Sequence, residues 1–349
     1  GGLLHYGYKP DNIKRDDLSW EKNQMINAGI DLQMFDGYIG FSVDYYNTNT
    51  SNMLLYVPVP LLTGYSTSLQ NLGKVNNRGW ELALTSQHTF TNGFGYSFNA
   101  NYAKNTNEVK ELGPGNAPII SSGSVGHAYY ITEVGKPIGN YYLLVQDGIF
   151  ATEEDLKKYP HFDNTEVGDF RFVDVDGDGK LDLDKDRTIC GNYMPKFTYG
   201  FGGKLWYAGF DMDFNFQGVY GNKILNLNKR YLDNMEGNTN GTKIALDRWK
   251  SPENPGSGSV NKANRKQTGY NSRTSTWHLE SGSYLRLQNL SLGYTLPRAL
   301  TQKFKVEKMR VYVSGQNLFT ITNYSGYNPE VNARPSKNLT PGEDYGTYP

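Results

Sequence analysis

The chain has little of what usually announces a function. Its 349 residues include one cysteine, Cys190, so no internal disulfide framework can form. Lys+Arg and Asp+Glu balance at 35 each, which leaves none of the basic excess of a nucleic-acid binder. No run approaches the ~18 apolar residues of a membrane-spanning helix, and mean hydropathy is a polar −0.63. This excludes a helical membrane protein but not a barrel, whose strands need apolar residues only at alternate positions. Gly1-Gly2-Leu3-Leu4-His5 offers no basic segment ahead of an apolar core, so no signal peptide is read there and the chain is taken as a fragment.

Catalytic chemistry is equally scarce. His5, His88, His127, His161 and His278 form no HExxH pair, and a lone cysteine cannot complete a zinc cluster. Neither a G-x-x-x-x-G-K-[ST] phosphate loop nor a G-x-S-x-G elbow is present. The adjacent acids Glu153-Glu154 sit beside Asp155 and Lys157-Lys158, as on a solvated surface. No enzyme activity is expected.

Aromatic residues and glycine are abundant, with 27 tyrosines and 39 glycines, and the pattern they join has period two. Ile26, Ala28, Ile30, Leu32 and Met34 alternate with polar residues up to an Asp36-Gly37 turn. Ile39, Phe41, Val43 and Tyr45 alternate after it, which is a β-hairpin signal. Trp80, Leu82 and Leu84 relate in the same way to Tyr96, Phe98, Ala100 and Tyr102 across Asn92-Gly93. Phe197, Tyr199, Phe201 and Leu205 precede a short turn near Ala208-Gly209. Beyond it Phe210, Met212, Phe214 and Phe216 alternate with Asp211, Asp213, Asn215 and Gln217. Leu290, Leu292, Tyr294 and Leu296 follow a phase slip near Gln288 that suggests a bulge, and Met309, Val311 and Val313 close the series. The tally is about eight strands, most near the ~9–11 residues that cross a bilayer at a tilt. No segment shows a sustained helical period; Glu153–Tyr159 has room for one or two turns.

The connections are lopsided. Those at 36–37, 92–93 and 207–209 are tight, while 51–72, 108–195 and 221–280 are long and rich in Gly, Asn, Ser and Pro. That asymmetry predicts an all-β fold, a transmembrane antiparallel β-barrel with long extracellular loops and a wet lumen lined by the polar phase. The rival is a soluble secreted β-rich binding module held by calcium. Sandwich strands run ~5–6 residues, shorter than these.

One motif carries chemistry. Asp174-Val175-Asp176-Gly177-Asp178-Gly179-Lys180-Leu181-Asp182, in the 160–190 region, has the spacing of an EF-hand-like calcium loop. Carboxylates of Asp174, Asp176 and Asp178 would converge on the ion, Gly179 allows the sharp turn, Lys180 gives a carbonyl, and Asp182 reaches through water. The bidentate position falls on Lys185, so one extra residue would give that role to Asp186. The expected cofactor is structural calcium pinning an extracellular loop. Tyr65, Tyr129, Tyr130 and Trp277 are candidates for stacking on substrate, with interfacial girdle or loop packing as the alternative.

Several stretches, in order, resemble the SusC/RagA family of TonB-linked outer-membrane proteins. They are Leu18-Ser19-Trp20-Glu21, Asn71-Leu72-Gly73-Lys74-Val75-Asn76-Asn77-Arg78-Gly79-Trp80-Glu81-Leu82, and Gly135-Lys136-Pro137-Ile138-Gly139 with Asp147-Gly148-Ile149-Phe150. Gly168-Asp169-Phe170, Tyr284-Leu285-Arg286-Leu287, Gly315-Gln316-Asn317-Leu318-Phe319 and Tyr324-Ser325-Gly326-Tyr327-Asn328-Pro329-Glu330 follow. The resemblance implies a bacterial outer-membrane barrel of about 22 strands around a plug, bathed in outer-membrane lipid. It implies import of oligosaccharides, or peptides in some members, with a SusD-like lipoprotein lid and energy from the TonB complex. On this reading residues 1–349 are the C-terminal portion of the barrel, the plug domain is absent from this chain, and Tyr348-Pro349 lies where a closing strand would begin.

Overall fold

The computed structural model describes residues 13–346 apart from residues 17, 60, 66, 72, 126, 238, 267 and 268. The expectations at Gly1–His5 and Tyr348-Pro349 lie outside the described residues. Eight strands form one antiparallel sheet in chain order: β1 (Lys22–Met34), β2 (Ile39–Ser51), β3 (Lys74–Thr89), β4 (Gly95–Glu111), β5 (Phe197–Tyr207), β6 (Phe210–Tyr220), β7 (Tyr284–Thr295) and β8 (Arg310–Thr322). The shortest have 11 residues, enough to cross a tilted bilayer span.

The register follows from the alternation. Phe214 lies opposite Gly203 and Leu290, and Phe216 opposite Phe201 and Leu287. On the other face Asp213 lies opposite Lys204 and Ser291, and Gln217 opposite Gly200 and Arg286. A one-residue slip would exchange the two faces. Rings cover the first face, with Phe201 and Phe216 stacked at 4.8 Å and Phe210 4.4 Å from Tyr294. Hydrogen bonds lace the second. Arg310 donates to Asp211 at 2.5 and 2.9 Å, Ser42 to Asp31 at 2.6 Å, and Tyr46 to Asn105 at 3.1 Å. Among the described residues nothing lies over the apolar face: Phe210 is 64% exposed, Ile30 64% and Val313 68%. A continuous apolar surface of that extent is unsuited to water and suited to lipid.

The sheet is open. Among the described residues β1 and β8 each keep an unpaired edge, as a piece of a larger barrel must.

All short connections sit at one end. The expected Asp36-Gly37 turn is a four-residue connection, because Phe35, Asp36 and Gly37 all take positive φ and Tyr38 donates back to Phe35 at 3.1 Å. At Ala208-Gly209 both residues are left-handed, φ 50 and 87, as a two-residue hairpin requires. A side chain at Gly209 would also meet the Thr295 carbonyl 2.7 Å from its Cβ. A fourth connection at this end, 296–309, holds the short helical turns Arg298–Thr301 and Gln302–Phe304. The other end carries 52–73, 112–196 and 221–283, close to the long loops expected, together with 323–346.

The phase slip is a bulge. The partner of Phe216 is Leu287 and that of Asn215 is Asn289, so Gln288 is the extra residue. Against β8 the register steps from Phe319 to Gln316 across the same point, with Asn317 at φ 51. Bulges on both strands restore the apolar phase on either side.

Segments at the long-loop end build a body with its own cores. Val125, Ala128, Tyr130, Tyr141, Leu143, Leu225 and Leu227 form one, and Leu144, Ile149, Phe162, Phe170 and Phe172 another. Within it a four-stranded sheet runs 187–191, 140–144, 129–132, 119–122. Glu153–Lys158 is the one expected helix, capped reciprocally by Thr152 and Asp155.

The facing has a direct test. In the intact protein, Phe214→Arg should cost on the order of 2–4 kcal/mol near the bilayer midplane, and Asn215→Arg much less. The folded fraction, read as heat-modifiable mobility on a gel, should fall for the first and hold for the second. Equal tolerance would contradict the assignment.

Candidate functional site: the polar wall and the long-loop body

Toward the long-loop end amides appear on both faces of the sheet, Asn47, Asn49 and Asn76 in the phase of Tyr45 and Trp80, and Asn77, Asn105 and Asn107 in the polar phase. Asn76 donates to Asn47 at 2.6 Å and to Asn49 at 2.9 Å. Asn77 accepts from Asn105 at 3.2 Å and Asn107 at 2.8 Å, and Asn107 in turn accepts from the Ile138 amide at 2.9 Å. This explains the paired asparagines of the 71–82 motif: their side chains join β2, β3 and β4 and anchor the loop that follows.

The 323–346 segment is fastened to the same wall. Tyr284 donates to Glu330 at 2.5 Å, Arg286 pairs with Glu330, and Arg286 also donates to Asn328 at 2.8 Å and Thr320 at 2.9 Å. Two motifs far apart in sequence are therefore halves of one contact.

Buried carboxylates hold the loop body together. Glu343 is fully buried and accepts from the Tyr130 hydroxyl at 3.1 Å and the Ser124 amide at 3.1 Å. Tyr324 donates to the buried Asp344. Asn271 donates to Asp169 at 2.9 Å and to Glu236 at 3.0 Å, while accepting from the Phe170 amide at 2.7 Å. Burial raises the Glu236 pKa above the usual carboxylate range and the Asp169 charge adds to this, against the hydrogen bonds from Asn271 and Ser272. His278 is fully buried, and burial, helped by Lys229 and Arg230, pushes its pKa down to about 3. It is a neutral core histidine. Glu343, Asp344 and Glu236 were not picked out by sequence reasoning; the Gly168-Asp169-Phe170 and Tyr324–Glu330 motifs each hold a partner in these contacts.

The Asp-rich loop brings three carboxylates together. Oxygens of Asp174, Asp176 and Asp186 lie within 4.8 Å of one another. Asp174 accepts from the Gly179 amide at 2.9 Å and the Gly177 amide at 2.7 Å, and these bonds, the Gly179 one foremost, lower its pKa. Asp186, wholly buried, accepts from Val175 at 2.7 Å and Asp182 at 2.6 Å. Asp178 instead faces Lys185 at 3.7 Å, and Asp182 accepts from the amides of Asp184 and Lys185. Neither belongs to the three-carboxylate group; Lys180 would offer only its carbonyl.

The aromatic candidates scatter. Tyr130 has no exposed surface, because its hydroxyl is spent on Glu343 and its ring packs 5.2 Å from Tyr141. It offers nothing to a ligand here, contrary to the expectation. Trp277 is half-buried, donates to the Ser259 carbonyl at 3.1 Å and lies 5.2 Å from Phe170. Tyr129 lies under the Arg187 guanidinium at 3.6 Å. Tyr65 is half-exposed beside the 54–58/67–71 hairpin, away from the other three in sequence and element.

The family described as TonB dependent receptor-like, beta-barrel, matches residues 5–318. The chain belongs to this family. Among relatives, TonB-dependent receptor P3 of Formosa agariphila is 34% identical over 351 residues, covering 97% of this chain and 34% of the relative. TonB-dependent receptor SusC of Bacteroides thetaiotaomicron is 26% identical over 354 residues, covering 100% of this chain and 32% of SusC. The solved structure of the RagAB peptide transporter superimposes with a TM-score of 0.75 at 26% identity, covering 95% of this chain and 34% of that one. The chain thus spans about a third of the length of the relatives it matches. It is a SusC/RagA-type TonB-dependent receptor barrel of the bacterial outer membrane. That placement accounts for the uncovered apolar face and removes the soluble-module reading.

Proposed function

We propose that the chain supplies the C-terminal part of the barrel of a TonB-dependent importer whose long-loop end faces the cell exterior and receives a SusD-like surface lipoprotein. The carrying observation is the two-faced sheet: apolar toward lipid, and amide- and ion-pair-lined on the side that would bound a lumen. Energy coupling to TonB would pass through parts of the protein outside these residues. Oligosaccharide is the first substrate reading, since hydroxyl-rich chains match a wall of amides that both donate and accept. Peptide is the second, favoured by the likeness to the RagAB peptide transporter. The intact complex should bind members of a glycan panel and lose their uptake when TonB is deleted. Binding of peptides alone selects the second reading, and TonB-independent uptake contradicts an importer of this kind.

Calcium is the proposed occupant of the Asp174, Asp176 and Asp186 group, which would be the protein part of a shell of about six to seven oxygens. Three close carboxylates repel one another, and a divalent cation relieves this. Its role would be to pin the 160–190 region. Asp176→Ala with Asp186→Asn should speed proteolysis there while the barrel keeps its heat-modifiable mobility, and a chelator should reproduce this in the unmutated protein. An insensitive loop would remove the ion; barrel unfolding by chelator would contradict a local role.

A further inference from the structure

A cluster of positive charge lies where the tip of the 119–132 hairpin meets the short helix Asn228–Leu232 and the turn at 270–273. His127, at the tip, has φ 76, a conformation that a residue with a side chain seldom takes. Its Nε2 is in contact with the Arg273 guanidinium. Burial first, then Arg273, Arg230 and Arg187, lower its pKa below the usual histidine value. A neutral ring can accept from Arg273, whereas a protonated one would add to the repulsion.

Of the three arginines, Arg187 has a carboxylate partner, Asp184, and stacks on Tyr129. Among the described residues Arg230 and Arg273 have none within ion-pair distance. Arg230 donates its Nε–H to the Ser272 carbonyl at 2.8 Å, and Arg273 engages His127. Tyr231 lies 5.7 Å from Arg230 and Tyr270 5.4 Å from Arg273. Each guanidinium keeps further N–H donors, set in a planar fork that fits carboxylate or sulfate oxygens pairwise. Both arginines are half-buried. Partly desolvated like charges without a counter-ion are unfavourable, and a bound oxyanion relieves them.

We propose that Arg230 and Arg273, with His127 beside them, form an oxyanion subsite for the carboxylate or sulfate groups of an acidic oligosaccharide. This rests on the importer reading and names the substrate class within it. A sugar is favoured over a peptide because exposed Tyr231 stands next to the Arg230 fork, offering a ring for a sugar face beside donors for the acid, while the Tyr270 ring, stacked on Phe162 at 4.2 Å, backs the Arg273 fork.

The test maps arginine reactivity in the intact transporter with its partner lipoprotein. Phenylglyoxal modification of Arg230 and Arg273 is read by peptide mass spectrometry with oligogalacturonate, a sulfated galactan oligosaccharide, a neutral galactose oligosaccharide or tetraglutamate present. Titration calorimetry runs in parallel. An acidic sugar should protect both arginines, the neutral sugar should not, and whichever acid protects identifies the oxyanion. The R230Q/R273Q pair should weaken acidic-sugar binding about tenfold or more, a loss of about 1.4 kcal/mol. The R230K/R273K pair, which keeps the charge but not the fork, should fall between, and controls for folding. No protection by either acidic sugar, equal protection by the neutral sugar, or protection by tetraglutamate alone overturns the proposal. Protection without TonB-dependent uptake in cells would uphold the subsite and contradict the importer reading separately.

Discussion

Everything in this chain depends on the antiparallel register that keeps one side chain in two against lipid. β5, β6 and β7 show the constraint most plainly. Phe214 and Phe216 lie against Gly203, Leu290, Phe201 and Leu287, while Asp213 and Gln217 lie against Lys204, Ser291, Gly200 and Arg286. A shift by one residue would place Asp211 and Asp213 in hydrocarbon, so the register is held by a penalty on every strand at once. Gln288 shows how strict this is: the extra residue is absorbed locally, beside the irregularity at Asn317, and the phase continues unchanged.

The wall in turn positions the loops. β3 and β4 extend beyond the turn-side requirement for crossing, and their ends carry the amides to which Ile138 attaches. Arg286 holds the 323–346 segment through Glu330 and Asn328, and that segment delivers Glu343 and Asp344 to the interior of the loop body. Glu343 there answers a hydroxyl and an amide from the 112–196 connection, and Asp169 answers an amide from the 221–283 connection. Removing one partner would leave the other desolvated and unpaired, at a cost of about 1–3 kcal/mol. The loops therefore behave as a packed unit rather than as separate flexible links. A charged subsite at their meeting point can then be held in fixed geometry.

Much of the sheet was legible because a half-buried strand writes its two faces directly into alternate residues. The bulge was legible for the same reason, as a break in phase at Gln288. Turn boundaries were less so: Phe35 and Asp36 adopt left-handed conformations that their identities do not announce. The loop body was largely hidden. Its defining contacts join residues such as Ser124 and Glu343, 219 positions apart, and no local period records such pairing. Tyr130 was misjudged for that reason, since a tyrosine that answers a distant buried glutamate looks in sequence like one free to stack on a ligand. At the Asp-rich loop the spacing rule named Asp174 and Asp176 correctly as neighbours, and Asp186, one residue beyond the usual position, stands with them. Asp178 and Asp182 turn instead to Lys185 and to local amides, which spacing alone does not reveal.

The central claim is that β6 divides lipid from water residue by residue. Spin labels placed singly at positions 210 to 217 of the intact protein in nanodiscs would measure this through collision with oxygen, which partitions into lipid, and with a polar nickel chelate. Labels at Phe210, Met212, Phe214 and Phe216 should favour oxygen, and those at Asp211, Asp213, Asn215 and Gln217 the nickel chelate. A flat profile, or an alternation in the opposite phase, would contradict the account.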